Sequence, residues 1–425
     1  MLTLQQIRNE KDKVIAGLSK RKMIDPAAII GKIINADDRR KNTQTELDHL
    51  LSSQNKCAKE IGQLFKEGKV KEANEKKNIV TELKEKSAVL EQNQRDNLDD
   101  LENLLLTVGN VPHVSVAFGT TEEDNEIIKE NTSAISDLYK NAKPHWELAK
   151  KYNLIDFELG TKITGSGFPL YRGKGAKYQR ALINFFLDEA HAAGYEEIIP
   201  PHLVNEDSAK ATGQLPDKED QMYYMPVDNL YLIPTAEVPI TNIFRDVIIK
   251  ETDMPIKVAG YTPCFRREAG SYGSDVKGLN RVHQFDKVEI IQVVHPEKSY
   301  EVLDEMVSHV EKLLVKLNLP YRILRLCGGD LGFTSALTYD FEVFSAAQKK
   351  WLEVSSVSNF ETYQTNRLKL RYKDDTGKKR LAHTLNGSAL ALARILAALL
   401  ENNQTGNGIN IPEILRPYTK FDVIT

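Results

Sequence analysis

At 425 residues the chain has the length of two or three domains. Its 41% hydrophobic and 28% charged residues exclude wholesale disorder, and a net charge of -3 from 57 Lys+Arg against 60 Asp+Glu excludes a globally basic nucleic-acid binder. Three widely separated cysteines, Cys57, Cys264 and Cys327, exclude a disulfide framework and a four-thiolate metal cluster, and fit a reducing compartment. With no partner Cys or His at ligand spacing, no zinc is expected. The opening segment from Met1 to Lys13 is polar and lacks a secretory apolar core. The apolar stretch from Ser388 to Leu400 is interrupted by Arg394 and is too short to span a bilayer. A soluble cytoplasmic protein with no membrane partner is expected.

The chain divides near residue 110. In residues 1–110, Asp25-Pro26 is a helix-start signal, with Asp as N-cap and Pro at the first helical position. Leu47, Leu50, Gln54, Cys57, Ile61 and Leu64 recur at spacings of three and four. After Gly68 the pattern resumes at Ala73, Val80, Leu83, Ser87, Leu90, Gln94, Leu101 and Leu104. This predicts an antiparallel helical hairpin, an arm roughly 60 Å long at ~1.5 Å rise per residue. Gln54, Lys76 and Gln94 make its seam imperfect. The distal stretch 55–90 holds nine lysines (Lys56, Lys59, Lys66, Lys69, Lys71, Lys76, Lys77, Lys84, Lys86) against six glutamates. A positive tip on a slim arm suits a phosphate backbone; an oligomerising coiled coil with a solvated charged face is the alternative.

Asn110-Val111-Pro112-His113 reads as a linker to a second region, 111–425, where short β-rich runs alternate with helices. Helices are predicted over Tyr178–Ala193, Tyr300–Leu317 and Ala389–Leu400. Strands are predicted at Glu196–Ile199 (closed by Pro200-Pro201), Leu230–Ile233, Ile256–Gly260, Val288–Val294 and Tyr321–Leu326. Strand pairs close in sequence, with helices around them, indicate an α+β fold with a mostly antiparallel sheet. Neither a GxGxxG nor a P-loop string occurs, so parallel-sheet nucleotide folds are poor candidates.

Three polar strings carry candidate chemistry. Cys264-Phe265-Arg266-Arg267-Glu268-Ala269-Gly270, a Gly/Ser-rich loop, and Arg281-Val282-His283-Gln284-Phe285-Asp286-Lys287-Val288-Glu289 together form a charged hairpin. Arg266 can meet a phosphate bidentately and Phe285 offers a plane for a base; a salt-bridged surface hairpin is the bland alternative. Glu353-Val354-Ser355-Ser356-Val357-Ser358-Asn359 offers carboxylate and hydroxyl oxygens to a hard cation, or is an ordinary half-polar strand. Thr384-Leu385-Asn386-Gly387-Ser388-Ala389 leads into an apolar helix carrying Arg394, which needs an anion or a core salt bridge.

In this order the strings resemble the second and third signature motifs of class II aminoacyl-tRNA synthetases, and the segment up to Pro200-Pro201 resembles the first. Together with Thr235-Ala236-Glu237, the chain most closely resembles the bacterial-type seryl-tRNA synthetases, over essentially its whole length. Small departures are Arg267, Ala389 and Asp217-Lys218. The resemblance implies a six- to seven-stranded antiparallel sheet flanked by helices, with the N-terminal hairpin as a tRNA-binding arm. It also implies a homodimer with the first motif at the interface. The implied reaction is ATP-dependent activation of L-serine and transfer to tRNA(Ser), with tRNA(Sec) a further candidate. The resemblance also assigns residues. Arg266 would hold the α-phosphate and the serine carboxylate. Glu353 and Ser356 would ligate Mg²⁺, with Arg394 on the γ-phosphate. Phe285 and Arg394 would sandwich the adenine, with Glu268 and the Val282 backbone at its edge. Arg267, Arg281, Val354 and Ser355 would complete the ATP site. Glu289 would contact the serine hydroxyl, and Thr235, Ala236 and Glu237 its amino side, with Asn386 and Ser388 closing the pocket. Rivals are a carrier-protein-loading paralogue, which the full arm disfavours, and a non-catalytic RNA scaffold, which intact Arg266, Glu289, Glu353 and Arg394 disfavour.

Overall fold

The computed structural model describes residues 1–133, 135, 142–217, 220–268 and 277–425. It divides into two compact units: Leu2–Ser19 with Met23–Gly109, and Asn110–Thr425 with Met1 and Lys20–Lys22.

The first unit is the expected hairpin. Helix α1 (Pro26–Lys66) starts where Asp25 accepts from the Ala28 amide, and Gly68 (φ 76°) turns the chain into α2 (Val70–Leu106). Each seam residue named above is buried or half-buried. The polar ones bond across the seam, with the Gln94 side-chain oxygen left without a partner. Gln54 donates to the Leu83 carbonyl and to Ser87, Gln94 donates to Gln44, and Lys76 pairs with Glu60. These bonds fix the register where apolar packing is thin. Two short helices, Leu4–Asn9 and Lys11–Lys20, are not legible in the polar opening segment. They bury Ile7, Val14 and Leu18, and Arg8 reaches the fully buried Asp37 on α1 at 2.6 Å. Basic side chains from Arg8, Arg40 and Lys41 offset Asp37's burial and hold its carboxyl down near 2.

The second unit is built on an eight-stranded sheet, wider than the six to seven strands expected. Its strands in chain order are β1 (Glu126–Asn131), β2 (Glu196–Glu197), β3 (Ile256–Phe265), β4 (Gln284–Val294), β5 (Tyr321–Arg325), β6 (Leu337–Ser345), β7 (Lys350–Glu361) and β8 (His383–Ala391). In space they run β1-β5-β6-β7-β8-β4-β3-β2, antiparallel except where β2 meets β3. The edge strand β1 is not predicted from the sequence, while the other edge, β2, is the shortened form of the strand predicted at Glu196–Ile199. Leu230–Leu232 is a strand, but of a separate three-stranded sheet.

Helices α3 (His145–Lys151), α4 (Gly173–Ala192), α5 (Ser299–Lys316) and α6 (Leu392–Asn402) contribute to the main core. Leu182, Phe185 and Phe186 of α4, Val302, Met306 and Val310 of α5, and Ile395, Leu396 and Leu399 of α6 pack there against Val288 and Ile290. On the opposite face of β4, Ile291 and Val293 join a second core with Ala236, Ile240 and Leu368. A strand covered on both faces reads as a continuous apolar run, which is why β4 is legible in the sequence.

Two expectations fail. Asn110 is no linker residue: it is 3% exposed, and its side chain donates to the carbonyls of Thr334 and Phe360 at 3.0 and 2.8 Å. The helix predicted from Ala389 begins at Leu392, because β8 runs on to Ala391: β7 pairs with it from Thr384 to Gly387, and β4 from His383 to Ala391. Pairing with β4 at Ala391 overrides the helix propensity of the Ala/Leu run.

Candidate active site

The hairpin of β3 and β4 pairs Phe265 with Gln284 and Gly260 with Glu289. Its connecting residues 269–276, including the expected Gly/Ser-rich loop and Ala269-Gly270, lie outside the described residues, as does Lys218. Alternation along β4 sends Phe285, Lys287 and Glu289 to one face, where they line a cavity of about 520 Å³. The same cavity is lined by Thr235, Glu237, Arg266, Glu268, Arg281, Val282, Glu353, Val354, Ser355, Ser356, Asn386, Ser388 and Arg394. Two expected residues are not on its wall. Ala236 is fully buried behind it, and Arg267 turns the other way from Arg266, toward Asp220 (3.7 Å) and the Tyr223 ring (6.0 Å). Past the end of β3, consecutive side chains diverge.

One end of the cavity is a buried carboxylate pair. Glu289, 1% exposed, accepts from the Thr235 hydroxyl at 2.9 Å and from Ser388 at 3.5 Å, and its ion pair with Lys287 is 2.5 Å long. Glu237 accepts from Gln364 at 2.5 Å, which in turn is held by Thr384 at 2.7 Å. Burial, and next the charge of Glu289, push the Glu237 carboxyl up to about 7. Sequence reasoning missed Lys287 and Gln364 as members of this group. Lys287 had a signal, since it shares the strand face of Phe285 and Glu289. Gln364 had none, because a separate helix, Tyr363–Leu368, delivers it.

The other end is cationic and open. The Arg266 guanidinium lies 5.3 Å over the Phe285 ring and makes one long bond, 3.4 Å, to the Pro234 carbonyl. Glu268, in a left-handed conformation (φ 48°), donates its amide to Gln221 and faces Arg281 at 3.5 Å. Arg394 stands in the first turn of α6, where the helix end disfavours a cation. It is held there by the carbonyls of Asn280 (2.9 Å) and Glu353 (2.7 Å), with the Glu353 carboxylate 3.7 Å away. It is therefore a site arginine, 26% exposed, and no core salt bridge.

On a regular strand Glu353 and Ser356 would face opposite sides. The structure removes that conflict with a bulge: Ser355 pairs with Phe341 and Glu353 with Glu342, leaving Val354 as the extra residue. Glu353 and Ser356 then share a face with Asp340, which pairs with Ser356, and with Glu342. All four line a second, more open cavity of about 970 Å³ that meets the first at Glu353, Ser356 and Arg394. Ser355 points inward and donates to the Ser388 carbonyl at 2.6 Å. The Asp340 carboxyl sits well above the usual carboxylate range, through burial and then the Glu353 charge, and its Oδ1 has no partner. A divalent cation would relieve both pressures. Among the described residues no three Asp, Glu, His or Cys side chains form a self-sufficient metal cage. The donor set fits a cation that takes one carboxylate, one hydroxyl and substrate phosphates.

Comparison with known proteins gives the family and the fold. Residues 223–403 match the tRNA synthetase class II core domain (G, H, P, S and T), and residues 1–112 match the seryl-tRNA synthetase N-terminal domain. The chain is 49% identical to the serine--tRNA ligase of Salinibacter ruber, covering 99% of this chain and 98% of the relative. Seryl-tRNA synthetase of Pyrococcus horikoshii, solved with ATP, superposes with a TM-score of 0.91 at 32% identity, over 100% of this chain and 99% of that one. The cytoplasmic serine-tRNA ligase of Naegleria fowleri, solved with AMP, gives 0.86 at 27% identity with the same coverage. Among the described residues no helix is long and apolar enough to cross a membrane. A two-ended cavity on an antiparallel sheet, a helical hairpin arm and full-length identity converge: the chain belongs to the seryl-tRNA synthetases, class II ligases that activate serine with ATP and charge tRNA with it.

Proposed function

We propose that the two ends of the cavity divide the reaction between them, the cationic end taking ATP and the carboxylate end taking L-serine. The observation that carries this reading is that Arg266 and Phe285 stand on the same wall as Thr235, Glu237 and Glu289. A nucleotide phosphate and an amino acid can thus meet in one space. The serine carboxylate is ionised at neutral pH, so its attack on the α-phosphate needs no general base. It needs alignment and neutralisation of charge as pyrophosphate departs. Arg266 holds the α-phosphate and the attacking carboxylate, and Arg394 holds the γ-phosphate. The adenine lies between Phe285 and Arg394, with Glu268 and the Val282 backbone at its edge. Glu353 and Ser356 would hold Mg²⁺, which when bound would supply charge neutralisation for the triphosphate. In the second step a tRNA 3′-terminal hydroxyl attacks the seryl carbonyl and AMP leaves. Serine-dependent ATP–pyrophosphate exchange, measured against other amino acids, tests the assignment; equal exchange with alanine would refute the serine end.

Glu289 reads the substrate hydroxyl, and a pocket built to hydrogen-bond a hydroxyl rejects alanine strongly. Glu237, with Thr235 beside it, receives the ammonium group, with Asn386 and Ser388 closing the space. Because the Glu237 carboxyl is pushed up to about 7, it is largely neutral at pH 6 and an anion at pH 7.5. The KM for serine should therefore fall as pH rises across that window, and Glu237→Gln should raise KM and flatten the trend. Linkage gives a second readout. A carboxyl whose folded pKa is raised contributes stability below ~4.5 that is lost as pH rises through ~7. Glu237→Gln should then melt higher than the parent at pH 8, by an increment on the order of 2–3 kcal/mol. Parallel pH profiles in the two proteins would remove Glu237 from the ammonium role.

Glu353→Gln keeps the shape of the cation site and loses its charge. Its activity should require several-fold more Mg²⁺ while the serine KM stays within about twofold. An unchanged magnesium midpoint would defeat the assignment.

A second copy of the chain is the proposed partner at β2. This edge strand is two residues long and runs into Ile199, which is 84% exposed. A short edge followed by an exposed apolar side chain suits coverage by another subunit.

A further inference from the structure

Behind the cationic end of the cavity lies a fully buried polar group that no step above uses. His145 of α3 and Glu401 of α6 are both 0% exposed. Glu401 Oε1 receives the His145 backbone amide at 2.9 Å and faces His145 Nδ1 at 2.7 Å, and Ser345 donates to Oε2. The Leu279 amide donates to His145 Nε2 at 2.8 Å. An accepting Nε2 requires the proton on Nδ1, where the carboxylate takes it. Glu401 also receives the Gln348 carboxamide at 2.9 Å, and the oxygen of that carboxamide accepts from Asn280 at 2.8 Å. Two arms thus run from one buried carboxylate to consecutive residues, Leu279 through the imidazole and Asn280 through Gln348. The chain passes so close to the ring that a Cβ at Gly278 (φ 69°) would lie 2.2 Å from Nε2. The Asn280 carbonyl is the acceptor that holds Arg394 Nε, and Val282 follows two residues on.

We propose that the buried His145–Glu401 pair is a positioning element of the ATP site, fixing residues 279–280 so that Arg394 and the Val282 backbone meet the nucleotide. The inference rests on the reading of Arg394 and Val282 as nucleotide contacts. The pair does not touch substrate. It acts by denying the 279–280 backbone the freedom it would have on a loop end. Without it, part of the nucleotide's binding energy would go into ordering that segment. Burial opposes the charge on Glu401, yet its bonds from His145 and Ser345 keep its carboxyl below the ordinary value. It therefore remains an acceptor for both arms.

The test separates the two ring nitrogens. His145→Asn keeps a donor near Nδ1 for Glu401 and deletes the acceptor for Leu279. His145→Gln places a carboxamide oxygen near Nε2 and restores it. In ATP–pyrophosphate exchange by the full-length enzyme, His145→Asn should raise the KM for ATP roughly five- to twentyfold, the size of one lost buried hydrogen bond. The KM for serine should stay within about twofold, and His145→Gln should recover most of the loss. Gln348→Leu, which removes the other arm at a half-buried position, should shift the ATP KM in the same direction. Equal shifts in both KM values, an unshifted ATP KM in the folded Gln348→Leu protein, or Asn and Gln variants that behave alike would overturn the proposal. Arg394→Ala serves as reference. If it leaves the ATP KM unchanged, the reading of Arg394 itself fails. If it raises that KM while His145→Asn does not, the positioning role alone fails.

Discussion

Arg266→Ala is expected to abolish serine-dependent ATP–pyrophosphate exchange, with a loss of at least ~10²-fold in kcat/KM, while the melting temperature moves by a few degrees at most. The asymmetry follows from what the side chain touches. In the folded protein Arg266 makes one long bond to the Pro234 carbonyl and lies over the Phe285 ring, interactions whose removal costs about 1 kcal/mol. In the reaction it faces charge that builds on the α-phosphate as serine attacks. A preorganised donor aimed at developing charge contributes ~3–4 kcal/mol. Arg266→Lys should recover little, because a point charge cannot bridge phosphate and carboxylate as a planar fork does. An alanine variant that keeps more than about a tenth of the parent rate would put the contribution below ~1.4 kcal/mol and remove Arg266 from the α-phosphate.

The second large effect concerns the arm. Replacing residues 50–88 with a short glycine turn should leave adenylate formation within about twofold and lower kcat/KM for tRNA charging by ~10²-fold or more. The cut follows the register of the hairpin, in which Gln44 meets Gln94 and Gln54 meets Ser87. It spares the base of the unit, where Ile30, Ile33 and Ala36 are buried and Arg8 holds Asp37. It removes the nine lysines of the distal stretch. Lys76 is drawn in against Glu60, Lys69 pairs with Glu67 at 2.9 Å and Lys77 lies 4.7 Å over the Phe65 ring, while Lys56, Lys59, Lys66 and Lys71 are exposed on the hairpin. Each RNA phosphate that is no longer neutralised should flatten the log–log salt dependence of tRNA binding by ~0.7–0.9. Lys69→Glu with Lys71→Glu should weaken binding in the same sense, with serine activation intact. The alternative role, a dimerising coiled coil, makes a different forecast: the shortened protein would be a monomer by light scattering. A monomer that charges tRNA at the parent rate would refute the tRNA-binding reading.

What the sequence determined by itself is whatever short-range periodicity encodes. The hairpin follows from apolar spacing on either side of Gly68 and from Asp25-Pro26, and each seam position is buried or half-buried as expected. β4 and α5 follow from runs whose apolar positions match the covered faces. Many residues of the cavity fall in the three polar strings, which the residues alone leave open between a site and ordinary surface or core charge; Thr235 and Glu237 enter only with the family resemblance. The tertiary structure decided the rest, because it depends on partners distant in the chain. Ala389–Ala391 continue the strand because Ala391 pairs with Lys287 of β4, although the residues alone favour a helix. Glu353 and Ser356 face one space because a bulge at Val354 breaks the two-residue period, and the bulge exists only against β6. Arg267 leaves the cavity that its neighbour Arg266 enters, a difference of direction that residue type does not encode. The Glu237 carboxyl is pushed upward by burial and by a second carboxylate, Glu289, 52 positions away, and the Gln364 that holds it comes from a separate helix. Burial and charge act through space, and no local pattern in the chain records which groups will share it.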